Sequence, residues 1–243
     1  MHFNVMTLFP DWVSHLEHYG VIGRAFSDNK LSLQVWNPRD YTQSKHQTID
    51  DRPYGGGPGM VMQYQPLYDC LTAIHQADIA RFGQPSWVIY CSPQGKAFNH
   101  AVSRQLAQHA AITLIAGRYE GLDERFVQHH VDAEYSVGDF VVSGGELPAM
   151  LMIDAIGRGI AGVLGDAESA EQDSFVEGLL DHPHYTRPET LMIDGQIDKV
   201  PEVLLSGNHK AIKQWRAEQA LQQTQKKRPD LLVDNQANTD KGT

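Results

Sequence analysis

Three apolar runs in the middle of the chain each stop at a glycine-bearing loop. Residues 87–91 run into Ser92-Pro-Gln-Gly95, residues 112–116 into Gly117-Arg-Tyr-Glu-Gly121, and the stretch from Ser136 to Ser143 into Gly144-Gly145. Short runs rich in β-branched and aromatic residues, bounded by turn residues, read as buried strands. The third, read as a strand over 136–143, opens through its glycine bend directly into a helix. Pro148 fixes φ for the first turn, and the residues to Ile160 are apolar on most sides. Paired glycines let another group approach the backbone closely, so 144–145 is a tight bend and not a loose gap. Ligands of parallel α/β sheets sit outside the carboxyl ends of the strands, so three such loops predict one composite pocket.

The flanking sequence supplies the rest of an α/β architecture. Met1 to Phe9 reads as a first strand, and Pro10 opens a helix with Trp12, Val13, Leu16 and Tyr19 at helical spacing, stopped by Gly20. A second helical piece spans 21–29, and residues 31–36 alternate as a half-buried strand ended by Asn37-Pro38. The polar segment 40–63 contains Gly55-Gly-Gly-Pro-Gly59, which matches neither the phosphate-loop nor the dinucleotide fingerprint. Pro66 starts a helix with Leu67, Leu71 and Ile74 inward, and further helices are expected over 99–109 and 122–130. Strands alternating with helices give a parallel-dominated sheet. From 162 periodicity fades into small and acidic residues, which predicts three parts: a domain over 1–161, a flexible linker over 162–176 and a small helical domain over 177–243. Its core candidates are Val203, Leu204, Leu205, Ile212, Trp215 and Leu221.

Composition narrows the function classes. No apolar run is long enough to cross a membrane and the N-terminus lacks a signal-peptide plan, so a cytoplasmic protein is expected. Cys70 and Cys91 are the only cysteines and lack CxxC spacing, which argues against a zinc site or a disulfide framework. His182 and His184 flank a proline and read as loop residues, since no third metal ligand is in sight. The net charge of −10 argues against non-specific nucleic-acid binding by the whole surface. Between 207 and 229, however, Lys210, Lys213, Arg216, Lys226, Lys227 and Arg228 face the single acid Glu218, a candidate phosphate-tracking face or simply a solvated helix surface.

Several blocks, in order, carry a resemblance. They are Asp51-Arg-Pro-Tyr-Gly-Gly-Gly-Pro-Gly-Met60, Tyr90-Cys-Ser-Pro-Gln-Gly95, Gly117-Arg-Tyr-Glu-Gly-Leu-Asp-Glu-Arg125, Ser136-Val-Gly-Asp139 and Ser143-Gly-Gly-Glu-Leu-Pro-Ala-Met150. Asp173-Ser-Phe-Val-Glu-Gly-Leu-Leu-Asp181, Pro183-His-Tyr-Thr-Arg-Pro188 and Leu204-Leu-Ser-Gly-Asn-His209 complete the set. Together they resemble the bacterial tRNA (guanine-N1)-methyltransferases of the trefoil-knotted SPOUT class. Two departures, in 192–199 and in the short end after Pro229, touch the RNA-facing domain.

The resemblance implies a deep trefoil knot, a homodimer, tRNA as partner and S-adenosylmethionine as cofactor. It would place the cofactor against Tyr90, Ser92, Pro93, Gln94 and Gly95, against Gly117, Tyr119 and Gly121, and against Ser136, Val137, Gly138, Asp139, Phe140, Val141 and Val142. Gly144, Gly145 and Pro148 would close the pocket. Substrate contacts are expected from Gly59, Tyr119, Glu120, Ser169, Asn208 and His209. An Mg²⁺ ion, with Glu120 as its candidate ligand, is a further expectation of the resemblance.

Methylating guanine at N1 requires a base to remove the N1 proton and a positive group to hold charge developing on O6. Asp173 is the candidate base and Arg158 the candidate O6 partner, with the target the guanosine just 3′ of the anticodon. Each residue has a plainer reading: Asp173 precedes the capping box Ser174-Phe-Val-Glu177, and Arg158 sits four residues after Asp154 as a helix-surface ion pair would. Two other functions remain open at this point, a ribose 2′-O RNA methyltransferase on the same fold and a non-catalytic RNA-binding module.

Overall fold

The structure, a computed structural model, describes residues 1–165 and 173–233. The chain divides into two compact units, Met1–Ala167 and Glu168–Thr243. That division falls inside the segment expected to be a linker.

The first unit is built on five parallel strands. They are β1 (His2–Met6), β2 (Ser32–Trp36), β5 (Trp87–Ala97), β6 (Ala111–Ile115) and β7 (Ala133–Ser136), in the order β2-β1-β6-β5-β7. A two-residue antiparallel pair, β3 (Asp50–Asp51) with β4 (Val61–Met62), stands apart from that sheet. Six helices accompany it: α1 (Pro10–Ser14), α2 (Gly20–Ser27), α3 (Tyr64–Phe82), α4 (His100–Leu106), α5 (Glu124–His130) and α6 (Glu146–Arg158).

Side chains alternate across a strand, and here the alternation sorts the core into two clusters. Phe3, Val5, Ile89, Ile112 and Leu114 pack with Ile22 and Phe26 of α2 and with Met152, Ile153 and Ile156 of α6. Met6, Val88 and Ile115 pack with Leu67, Leu71 and Ile74 of α3 and with Phe126 of α5. Both faces of the sheet are therefore covered, the usual condition for an all-parallel sheet. The polar Asn4 is accommodated because its Nδ2 donates to both Asp78 oxygens, at 3.1 and 3.0 Å, and its Oδ1 accepts from Trp36 Nε1 at 2.8 Å.

Three local expectations are corrected. The strand expected over 136–143 lies earlier, at β7, and the residues after Ser136 form a loop. The segment turns on itself instead of pairing: Phe140 N–H donates to Gly138 O at 2.9 Å and Gly138 N–H to Ser136 Oγ at 3.2 Å. Phe140, Val141 and Val142 stay outside the core, with Val141 86% exposed, while the half-buried Val137 packs against it. Second, Ser92 to Gly95 is not a loop after a strand but a wide irregularity within β5, since Cys91 and Lys96 both face Tyr135 of β7. Third, the helix from Pro10 ends at Ser14 and tightens into a 3₁₀ turn, His15–His18, and Gly20 begins α2 instead of closing the preceding helix. Only Val13 of the expected apolar stripe is buried, while Trp12 and Tyr19 are exposed.

The second unit contains a β-hairpin that the sequence reading missed. Strands β8 (Thr190–Ile193) and β9 (Gln196–Lys199) pair antiparallel, joined by Asp194 and Gly195 at φ of 50° and 79°. Positive φ at both central residues is what a two-residue hairpin turn demands, and Asp-Gly between apolar runs was the available signal. A short helix, Glu202–Leu205, and a long one, His209–Lys227, follow. None of the six expected core residues is buried: Val203, Leu204, Ile212 and Trp215 are half-buried, and Leu205 and Leu221 exposed. Among the described residues of this unit only Thr224 is buried. Its Oγ1 accepts from Leu180 N–H at 2.8 Å and donates to Ala220 O at 2.7 Å.

Candidate functional site

The irregularity within β5 and the carboxyl ends of β6 and β7 open on a pocket of about 220 Å³ in the first unit. Its walls come from residues 90–93, 117–121 and 135–138, from 140–145 and from Pro148. Of the residues expected against a cofactor, Gln94, Gly95 and Asp139 do not line it, whereas the others do. Gly95 instead lies tight behind β7, where an added Cβ would collide with the Glu134–Tyr135 peptide. Cys91, Arg118, Tyr135 and Ser143 also line the pocket and were not singled out from the sequence.

What holds these loops together is a buried ion pair that sequence reasoning missed. Arg118 Nε donates to Glu146 Oε1 at 3.2 Å, and Nη2 lies 2.9 Å from Oε2. The same Oε1 accepts from Thr7 Oγ1 at 2.8 Å, while Arg118 Nη1 donates to Ser143 O at 3.0 Å. The guanidinium also lies over the Phe9 ring, 4.3 Å from its centroid. One side chain thus ties the loop after β6 to the start of α6 and to the end of β1. Glu146 is fully buried, so its charge requires this pairing. An acidic residue in the first turn of a helix next to an arginine loop is an ordinary surface pattern, which is why nothing in the sequence marked it.

The glycine pair makes the closeness feasible. Gly145 N–H donates to Gly117 O at 2.9 Å, and a Cβ on Gly145 would come within 2.6 Å of Ala116 Cα. A Cβ on Gly144 would run into the Arg118 guanidinium. The bend therefore exists to bring backbone against backbone.

A fourth segment joins the rim. Met62 N–H donates to Gly121 O and Glu120 N–H to Met60 O, each at 2.9 Å, which lays the glycine-rich segment alongside 120–121. Gly59 consequently abuts the Glu120 side chain. Tyr119, in the left-handed region at φ 60°, is 46% exposed and its hydroxyl lies 3.4 Å from Arg39 Nη2. Burial pushes the Tyr90 hydroxyl up to about 12, so it is a neutral donor at the pocket wall.

The remaining candidates are placed individually. Arg158 ends α6 and is half-buried. Asp173, in the second unit, is half-buried, and Ser169 lies outside the described residues. Asn208 caps the long helix, its Oδ1 accepting from Ala211 N–H at 3.2 Å, and His209 is that helix's first residue. All six cations between 207 and 229 are exposed, but Arg228 is engaged by Asp230 at 2.6 Å.

Two ligand expectations meet different fates here. Glycine backbone packed at van der Waals limits around an open pocket fits a flat, polar cofactor recognised through main-chain groups. Glu120 is the one acidic residue on the described pocket wall, so a magnesium ion held there would keep most of its water. The absence of a third metal-capable group near His182 and His184 is corrected, because the Asp181 carboxylate lies 2.7 Å from His182 Nδ1 and 2.8 Å from His184 Nε2. No helix among the described residues is long and apolar enough to cross a membrane.

Comparison with known proteins agrees with the geometry. A family model described as tRNA (Guanine-1)-methyltransferase TrmD matches residues 1–234. A Pseudomonas syringae pv. tomato protein named tRNA (guanine-N(1)-)-methyltransferase is 55% identical over 228 residues, 94% of this chain and 88% of its own length. A Psychromonas ingrahamii protein of the same name is 55% identical over 240 residues, 99% of this chain and 94% of its own length. One from Methylococcus capsulatus is 54% identical over 233 residues, covering 96% and 90%. With identity at this level running through both units, the chain belongs to the tRNA (guanine-1)-methyltransferase family.

Proposed function

We propose that this chain transfers a methyl group from S-adenosylmethionine to N1 of the guanosine immediately 3′ of the anticodon in tRNA. The observation that carries the reading is the convergence of the β5 irregularity and the loops after β6 and β7 on one glycine-bearing pocket in a chain of this family. The cofactor, when bound, supplies a sulfonium methyl electrophile. Residues 90–93, 117–121, 136–138 and 140–145 would hold it, with Arg118 and Glu146 fixing the loops around it. Asp173 would take the guanine N1 proton, which frees the N1 electron pair to accept the methyl of a donor that would depart as a neutral thioether. Arg158 stabilises charge on O6 during that transfer. Tyr119, exposed beside the pocket, offers a face for the extruded base, next to Glu120.

The knotted passage of the chain, the homodimer in which Asp173 reaches the pocket from a second copy, and a cytoplasmic location belong to the same proposal. So does a tRNA-binding role for the second unit, supported by the exposed lysines and arginine of the long helix. The test is nucleoside mass spectrometry of unmodified tRNA incubated with the methyl donor and with wild type or Asp173→Ala. Wild type should yield 1-methylguanosine, and the variant should be slower by about 10²–10⁴-fold with cofactor binding retained. A 2′-O-methylated nucleoside, or no methylated nucleoside from wild type, would overturn the assignment.

A further inference from the structure

We propose that Asp181, His182 and His184 of the second unit form a binding site for a divalent transition ion of the zinc type, open at its fourth position. The three side chains each offer one ligand atom, and these atoms lie within 4.8 Å of one another. Asp181 is the hub: Oδ1 is 2.7 Å from His182 Nδ1 and Oδ2 is 2.8 Å from His184 Nε2. Pro183 between the histidines limits the backbone, and the two rings sit with centroids 4.4 Å apart, tilted by 45°. Asp181 is held in turn, its N–H donating to Ser174 Oγ at 3.0 Å.

The donor chemistry selects the ion. Two imidazole nitrogens and one carboxylate oxygen suit zinc and its neighbours, whereas magnesium demands oxygen ligands and keeps its water. Three protein ligands with one position left to solvent is the open arrangement of a non-structural zinc site. Room exists for that fourth ligand, because His182 and His184 border a cavity of about 490 Å³ that Arg187, Glu189 and Arg216 also line. A hydrogen-bonded loop brace is the competing account. It leaves one carboxylate serving both rings, with Oδ1 accepting in addition the His182 backbone N–H at 2.7 Å.

Arg216 opposes a bound cation, and the Asp181 charge offsets that opposition. Ligands that must be deprotonated also make binding weaken as pH falls through the imidazole range.

The experiment uses untagged, chelator-stripped full-length protein dialysed against micromolar Zn²⁺ in millimolar Mg²⁺, with metal content read by mass spectrometry. Co²⁺ substitution, read by visible absorption, reports coordination number. Wild type should retain one Zn²⁺ per chain, and bound Co²⁺ should show the intense bands of a four-coordinate ion. His184 is 71% exposed, so His184→Asn should fold normally, and it should weaken binding by about thirtyfold or more. Asp181→Asn is the second variant, and it should weaken binding as well. No stoichiometric zinc on wild type, or affinity unchanged in both variants because other histidines hold the metal, would overturn the site.

Discussion

In the first unit Phe3, Val5, Ile89, Ile112, Leu114, Ile153 and Ile156 disappear behind one face of a sheet, and Met6, Leu67, Ile74 and Phe126 behind the other. In the second, the sole buried residue among those described is a threonine, and Leu191, Met192, Ile193 and Ile197 of the hairpin are all exposed. The first unit is specified by area removed from water, worth about 25 cal/mol per Å². The second is held by local devices: an Asp-Gly turn, the Asn208 cap, and the hydrogen bonds of Thr224. Such an assembly has little reserve against local opening. A surface proposed to close on an RNA tolerates that, whereas a pocket built from backbone at contact distance does not.

The sharpest way to break this contrast is to remove equivalent apolar mass from each side. Phe126→Ala should cost about 3–5 kcal/mol, whereas Leu204→Ala, half-buried, should cost less than about 1 kcal/mol. Urea unfolding with amide exchange resolved by unit measures both, and equal costs would end the distinction. Arg118→Met comes next. It leaves the fully buried Glu146 carboxylate without its cation, at about 3 kcal/mol or more, and it should also weaken binding of the methyl donor by freeing the loop at Ser143. The double variant Arg118→Met/Glu146→Leu should recover part of the stability and none of the cofactor affinity, as calorimetry would show.

A smaller effect sharpens the other side. Thr224→Val keeps the shape but strands the Leu180 N–H, which should cost about 1–2 kcal/mol and be felt in the second unit alone. Exchange of the Leu180 amide should speed up while the amides of β1 and β6 keep their protection. Uniform loosening of both units would mean that the second depends on the first for more than its own hydrogen bonds suggest.

The same contrast explains what the sequence disclosed. Burial writes periodicity into a sequence, so β1, β6 and α3, with Leu67, Leu71 and Ile74 inward, were legible, as was a parallel-dominated sheet. The pocket followed from the glycines after β6 and β7, whereas Gly95 lies inside β5 and does not line it. Residues 136–143 misled because Phe140, Val141 and Val142 carry strand-like chemistry while lining a pocket and facing solvent. Arg118, Glu146 and Thr7 were invisible for a different reason. They are separated by up to 139 positions in the chain, and a long-range ion pair leaves no local pattern. In the second unit, where almost nothing is buried, the apolar residues at 203–205, 212, 215 and 221 promised a core that the fold does not make.

The smallest expected effect is one of acid. Burial is the leading cause that lowers His2, His75 and His130, all in the first unit, below the ordinary value of 6.5. For His2 the Arg81 charge acts in the same direction, against the Asn4 bond and the Asp78 charge, and His75 is depressed despite the nearby carboxylates of Asp78 and Asp132. A histidine depressed in the folded state is protonated first in the unfolded chain. Its cost is therefore absent above pH 6.5, and stability falls as pH drops from 6.5 through the folded values. His75→Leu tests the sign, since His75 Nε2 is buried without a hydrogen-bond partner. The variant should match or exceed wild type at pH 7.5 and should lose less than wild type between pH 6.5 and 5.5. In the second unit His182 is depressed by the same leading cause, but it lies against Asp181, whose carboxylate is itself lowered and stays ionised through that interval. The net shift is still downward, so amide exchange in the second unit should speed up over the same acid step as well. A steeper response in the second unit would place its balance in the histidine cluster and not in the turn, the cap and the threonine.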